Sequence, residues 1–587
     1  MTPTTFHKFG DLSTEIKSQI IDFVLRPSDL KNVCLTCSSL RDLAVKPLYR
    51  NVAFDLGQPK DTVIAAFLNP KNKGLQHVRQ IRLYLASVRD RCNQDQMAHM
   101  AARMIIELMP EDVLEEFSWC PWKPFSADNL LLLYRKQRRM KWLEVMDLDR
   151  DILPELKRQP KLQGAMFGNA RKLALYPENR ITLDMCQFMV EKSAPVLEEL
   201  IVHCNFPDNE SRDMSPPAGA IPPRELMDSA TQPGLVTRTI FRHMLPFDDD
   251  CKPFPNLKSV RLHRISLRHC ADTWCKVIDF TQIQNIRLYQ CPGADSLFGQ
   301  LSKAKHLPKL LKVLEFQHKD NSEEEALMSL DGFLCLVSGI RDLIIDVQNV
   351  KSLPTSASIA RHGRTMELLS VHCSNEASQD SGLGEDGELV WEYDEFEKIC
   401  KSCVGLEQLS CAWPSTSLIR SASTDWRSFQ RCAIDNLRKM VTLHITTWPT
   451  NKPSTQLLPR HVYEFLLQGL AMRLFADAHI ESPSPPPIPS ARLRLISFGI
   501  SDKVYEREDS KNSVNFLRST CIDAHGHSKV FAAPLGWCAR QFVEPRSEVL
   551  DFVLHRESRP PCREMGYGDE DEYVTQNLPP LHDGEMW

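Results

Sequence analysis

No segment of this 587-residue sequence is both long and uninterruptedly apolar. The richest stretch, residues 326–347, is broken by Asp331 and Arg341, whereas a membrane-crossing helix takes roughly 20 apolar residues in a row. The first seventeen residues, MTPTTFHKFGDLSTEIK, hold no apolar core of the kind a secretory signal carries. A soluble chain of the cytoplasm or nucleus, making no membrane contact, is the expectation. An excess of charge of one sign is also lacking. The 71 Lys and Arg stand interspersed with 76 Asp and Glu for a net charge of -5, which leaves no basic footprint for nucleic acid.

Catalytic motifs are absent as well. Neither a phosphate loop, a nucleophile elbow, an HExxH helix nor a GxGxxG turn occurs in the context its chemistry needs. No catalytic residue, cofactor or metal is therefore assigned, and the expected protein is not an enzyme. The nineteen cysteines follow no disulfide framework and sit in apolar runs such as CLTCSSL and FLCLVSGI, as reduced core thiols do. Cys34-x-x-Cys37 and Cys400-x-x-Cys403 have metal spacing, but each pair falls on a helical apolar stripe and neither has a second pair at zinc-finger distance. Cys521, His525 and His527 in CIDAHGH make a triplet without a fourth ligand.

What is present begins with three short amphipathic patterns. Ser13 suits an N-cap for a helix carrying Ile16, Ile20, Phe23 and Val24 at i, i+4, i+7 and i+8, ending before Pro27. Ser28 suits a second cap, for a helix with Leu30, Val33, Cys34 and Cys37; a third helix runs over Leu40, Leu43 and Ala44 until Pro47 stops it. Three such helices total about forty residues, too few to bury a good core without help. A protein partner is the expected remedy.

The order Leu12, Glu15-Ile16, Ile20, Leu25, Asp29-Leu30, Leu35-Thr36-Cys37, Leu40-Arg41, Leu43-Ala44 and Pro47-Leu48-Tyr49-Arg50 resembles the F-box as written in many fungal proteins. It departs from the commonest F-box at Ser13, where proline is usual, and at Leu40, where many animal members carry tryptophan. The resemblance implies docking to the Skp adaptor of a cullin ubiquitin ligase. The implied contacts are Leu12, Ile16, Ile20, Leu30, Leu35, Cys37, Leu40, Pro47 and Leu48.

A different rhythm fills the long middle. An apolar residue, two others, an apolar, one other and an apolar recur from Leu143, Ala170 and Leu197, spaced by 27 and 27, and from Leu257, Ile283, Leu311, Ile340 and Met366, spaced by 26, 28, 29 and 26. Weaker copies start at Val78, Leu114, Leu406, Met440 and Leu493. Such periods with L-x-x-L-x-L mark leucine-rich repeats, each a strand and a returning helix or loop that stack into a solenoid. The expected fold class is thus α/β: residues 1–52 as the adaptor-binding helices, then 53–500 as a degenerate solenoid with a parallel sheet on its concave face. Polar, Pro- or Gly-rich composition at 207–234, 374–388 and 481–490 predicts flexible insertions. Residues 501–560 are assigned as a cap and the acid-rich 561–587 as a solvated tail.

Strand alternation puts the residue between the last two apolars, and the one after them, on the concave surface. Arg82, Tyr84, Arg261, His263, Arg287 and Tyr289 are therefore the expected client-binding residues, with Arg261 and Arg287 placed to receive an acidic or phosphorylated segment. The combined expectation is a connector that holds an unknown protein client near a ligase core. Its rivals are an F-box protein acting outside ubiquitylation and a scaffold whose first helices only cap its repeats.

Overall fold

The computed structural model describes residues 9–545, apart from 25, 57–60, 85–93, 121–123, 146–148, 150, 178–179, 205–233, 245–251, 322, 376–386, 451–453, 479–491, 500–512, 523, 537–539 and 541–542. The insertions expected at 207–234 and 481–490 and the tail at 561–587 lie outside the described residues, apart from Gly234. The fold is mixed α/β with mostly parallel strands. Among the described residues no helix is long and apolar enough to cross a membrane.

The chain divides into two compact units, one up to Leu257 and one from Lys258. The first opens with helices α1 (Thr14–Asp22), α2 (Pro27–Thr36) and α3 (Ser38–Arg50). Six strands follow: β1 (Asn51–Asp55), β2 (Gln80–Tyr84), β3 (Glu116–Trp119), β4 (Trp142–Val145), β5 (Lys172–Leu175) and β6 (Glu199–His203). Each pairs in parallel with the next in chain order. Register lines up Val52, Ile81, Phe117, Leu143, Leu173 and Leu200, all buried.

That line corrects one reading of the repeats. Leu143 is the second apolar position of its repeat, level with Leu173, and the first is the buried Met140. The competing leucines and methionine of LEVMDLD mimic the pattern three residues too late.

The second unit continues with β7 (Ser259–His263), β8 (Asn285–Tyr289), β9 (Val313–Lys319), β10 (Asp342–Gln348), β11 (Leu368–Ser374), β12 (Gln408–Cys411), β13 (Thr442–Ile445) and β14 (Leu495–Phe498), again parallel in chain order. Here Val260, Ile286, Leu314, Leu343, Leu369, Leu409, Leu443 and Ile496 form the buried row. Helices cross between strands and pack their aromatics against them. Phe298, on the helix Ala294–Leu301, meets Phe316 of β9 edge-on at 5.2 Å. Parallel pairing ends at β14, where β15 (Val514–Ile522) and β16 (Ser528–Leu535) add an antiparallel hairpin inside the segment assigned as a cap.

Helix boundaries differ from expectation at two prolines. Pro27 occupies the first turn of α2, where its missing N–H is harmless, so Ser28 is not the cap. Pro47 lies inside α3, which continues to Arg50 before the chain turns extended at Asn51.

Glycine is required where the second unit turns into the helix Ala294–Leu301. Gly293 has φ +77°, and a Cβ there would stand 2.3 Å from the Arg268 backbone nitrogen. Gly293→Ala is expected to cost about 2 kcal/mol or more, because left-handed strain adds to a clash with backbone that has no flexible tip to move. Denaturant unfolding of the full chain, followed by tryptophan fluorescence, measures it.

Candidate functional site

The three N-terminal helices leave part of their apolar surface uncovered. Ser13 caps α1 by accepting from the Ile16 N–H at 3.4 Å, and extended backbone at Cys37 turns α2 into α3. Arg41 Nε donates to the Cys34 carbonyl at 3.2 Å, fastening the two helices together. Their core consists of Ile21, Leu30, Cys34 and Ala44, with Val24, Val33, Leu40, Leu43, Val45 and Leu48 packed partly around it. Left outside are Ile16 (43% exposed), Ile20 (41%), Phe23 (84%) and Leu35 (71%). Ile16, Ile20 and Phe23 recur at i, i+4 and i+7, which sets them on one side of α1 and its C-cap. A fully exposed side chain of this size stands roughly 1.5–3 kcal/mol above its buried state, a cost that Phe23 and Leu35 bear largely and Ile16 and Ile20 in part.

Of the residues expected to dock, Ile16, Ile20, Leu35 and Cys37 are exposed, while Leu12 and Pro47 are half-buried. Leu30 is not available: it lies in the segment's own core. Leu40 and Leu48 spend part of their surface on the same core. Phe23, the most exposed large apolar residue here, stands on the same side of α1 as Ile16 and Ile20 and was visible in the helical period, although the family pattern does not mark it. Cys37 is a surface thiol and not core packing, whereas Cys34, Cys400 and Cys403 are buried.

The expected client face divides between the units. In the first, Arg82 is exposed and Tyr84 half-buried. In the second, register brings Arg261 beside Arg287 and His263 beside Tyr289. Arg287 is not open to an acidic client. Its Nε lies 3.0 Å from Glu315 Oε1, in an ion pair with the two side chains 14% and 2% exposed. Tyr289 is buried and donates its hydroxyl to the other Glu315 oxygen. The acid that the paired arginines were expected to capture from a client is supplied by β9 itself.

A second polar network lies along the same side of the sheet. Gln317 Nε2 donates to Asp346 at 3.1 Å, and the other Asp346 oxygen stands 2.8 Å from His372 Nδ1. His372 Nε2 lies 3.3 Å from Glu388, which accepts from the Thr446 hydroxyl at 3.0 Å. Glu388 belongs to the stretch expected to be a flexible insertion, yet it bridges back to Ser374 and holds this buried site; residues 376–386 lie outside the described residues. Further along, His444 Nε2 donates to the Gly499 carbonyl at 2.6 Å and Ser410 bonds its Nδ1 at 3.1 Å. Arg540 and Glu544, paired at 2.6 Å and buried, close over this corner. Cys521, near the end of β15, and His525 and His527, between β15 and β16, are exposed, and among the described residues no cluster has metal-binding geometry.

These environments push the two imidazoles in opposite directions. Burial alone would lower His372, but the carboxylates of Glu388 and Asp346 outweigh it and raise its pKa to about 9. Burial, with the nearby Arg540 charge, drops His444 to about 3. Both differ from the ordinary 6.5, so both link stability to pH. The His372 contribution is full below about 6.5 and is lost as pH rises through about 9. The His444 contribution is full above about 6.5 and is lost as pH falls toward about 3. Denaturation midpoints across pH are expected to peak near 6.5, with His372→Gln flattening only the alkaline limb.

Removing Arg287 tests the first network. Burial raises the Glu315 pKa against the pull of Arg287, so Arg287→Ala leaves a nearly enclosed carboxyl without its counter-charge. A loss of about 3 kcal/mol or more is expected in equilibrium unfolding, whatever the client. No protein-family model matches this chain, and no curated protein does.

Proposed function

We propose that this protein is the client-recognition subunit of a Skp–cullin–F-box ubiquitin ligase, working in the cytoplasm or nucleus. The observation that carries the reading is the excess of exposed apolar surface on α1 and α2 over what four core residues can enclose. Ile16, Ile20, Phe23 and Leu35 supply the greasy side of a contact with the Skp adaptor, and the order of residues from Leu12 to Arg50, in which Phe23 has no marked place, resembles an F-box. The parallel strands, each returning through a helix or loop with buried residues at the L-x-x-L-x-L positions, act as a leucine-rich-repeat array that displays a client surface. The chain then performs no bond chemistry. It raises the effective concentration of a client lysine near a ubiquitin-charged enzyme brought by another subunit.

A second reading has one observation in its favour. Tyr49 of α3 stacks on Phe67 at 6.0 Å and lies against Gly74, where a Cβ would stand 2.4 Å from its ring. The helices thus also cover the start of the sheet, as a cap would. Deleting them exposes that start and confuses the two roles, so point substitutions are the sharper test. Ile16→Asp with Phe23→Asp is expected to weaken binding of purified Skp adaptor by at least about 30-fold, the equivalent of roughly 2 kcal/mol, while leaving the unfolding midpoint in place. Titration calorimetry and a melting curve read both. Wild-type chain that shows no affinity for adaptor ends the ligase reading.

A further inference from the structure

Two buried thiols in the second unit meet along a helix pair that the function above does not use. The helices Tyr393–Ser402 and Thr424–Asn436 flank β12 and pack side by side. Their contact climbs in rungs. Phe396 stacks on Phe429 at 4.3 Å with the rings 13° from parallel, and Tyr393 reaches the same Phe429 at 6.3 Å. One turn further, four residues along one helix and three along the other, come Cys400 and Cys432. Both are free and buried, and the spacing beyond the stacked Phe396 and Phe429 sets them facing each other across the helix pair. Asn436 Nδ2 lies 3.8 Å from the Cys432 sulfur as a donor.

We propose that Cys400 and Cys432 form a reversible disulfide that clips these two helices together when the protein meets a peroxide oxidant. Cys432 is the attacking group: the neighbouring Cys400 thiol, helped by the Asn436 amide, holds its pKa below the ordinary thiol value, whereas the Cys400 thiol is held well above it. The Cys432 thiolate breaks the O–O bond of hydrogen peroxide, taking one oxygen as a sulfenic acid and releasing hydroxide. The Cys400 sulfur then attacks the Cys432 sulfur, the S–O bond breaks, and the oxygen leaves as water with the Cys400 proton. In sum two thiols and one peroxide give one disulfide and two waters. A thiol reductant reverses it.

Nearby sulfurs make the pairing specific and testable. Cys403 and Cys411 also lie close to Cys400, but burial pushes both to about 12, which keeps them protonated and slow to react. The full chain is treated with hydrogen peroxide, its free thiols are blocked with N-ethylmaleimide, and a non-reducing digest is analysed by mass spectrometry. The expected product is a cross-linked peptide pair joining Cys400 to Cys432, lost on adding dithiothreitol. In the same samples the unfolding midpoint rises on oxidation and returns on reduction, because the bridge closes a loop around β12. Cys400→Ser is expected to leave Cys432 as a sulfenic or sulfinic acid. The proposal is overturned if Cys400 and Cys432 both remain alkylated after the exposed Cys37, Cys335 and Cys521 have been oxidised, or if Cys400 is found bridged to Cys403 or Cys411. Because the wild-type chain supplies the decisive measurement, a serine variant that folds poorly leaves the answer intact.

Discussion

One carbonyl oxygen in front of most of the parallel strands organises the pairing in both units. The Arg79 carbonyl accepts from two consecutive N–H groups, those of Glu115 and Glu116, and Glu115 in turn accepts from Lys141 and Trp142. Lys258, Gln284, Lys312, Arg341, Glu367, Glu407 and Val441 repeat the arrangement through the second unit. Each such carbonyl directly follows the first buried apolar residue of its repeat, so one step of the ladder fixes where the next strand begins and which side chains turn inward. Slipping a strand by one residue would carry its whole apolar set to the wrong side. Loops of very different length can then be hung between strands without disturbing the rows, as the gap between β11 and β12 does.

Charge on the other side of the sheet is handled by the same register. Aligned positions put Arg287 beside Glu315, and Asp346 beside His372, so strands that bring like groups together elsewhere bring opposite ones here. Enclosed charges are tolerated because each has a counter-charge and hydrogen bonds at short range. The consequence for recognition is subtractive. A face that looks cationic in the alternation of residues is, over β8 to β11, a closed internal circuit, and among the six residues expected to meet a client only Arg82 is exposed.

Much of the framework was legible in the residues. Val260-x-Leu262, Ile286-x-Leu288 and Leu343-x-Ile345 sit in the strands where the spacing puts them, because a buried parallel strand demands apolar residues at fixed intervals. The repeat at Leu143 misled because Leu143, Met146 and Leu148 copy that interval in the sequence three residues after Met140, where the repeat begins. Pro47 misled because a proline forbids one hydrogen bond and not a whole helix when the chain beyond is held by packing. Glu388 and Arg540 were out of reach for another reason. Glu388 sits in a stretch whose composition reads as a flexible insertion and Arg540 in the segment assigned only as a cap; their partners, His372 and Glu544, lie 16 and four residues away along the chain, and only the folded chain brings these pairs under cover. Leu30 and Phe23 traded roles for a similar reason: the helical period marks an oily side without saying which of its members turns toward the neighbouring helix.

Arg50 ends α3 and Asn51 begins β1, so no slack separates the helical bundle from the first rung of the sheet. A joint of that kind transmits orientation as a keyed shaft does. Each residue of helix advances the azimuth by about 100°, and a single insertion at the joint would swing the oily side of α1 to a new bearing while leaving every strand in place. Whatever grips that side therefore inherits a set direction toward the first strands, and the angle of presentation is written into the chain at one peptide bond.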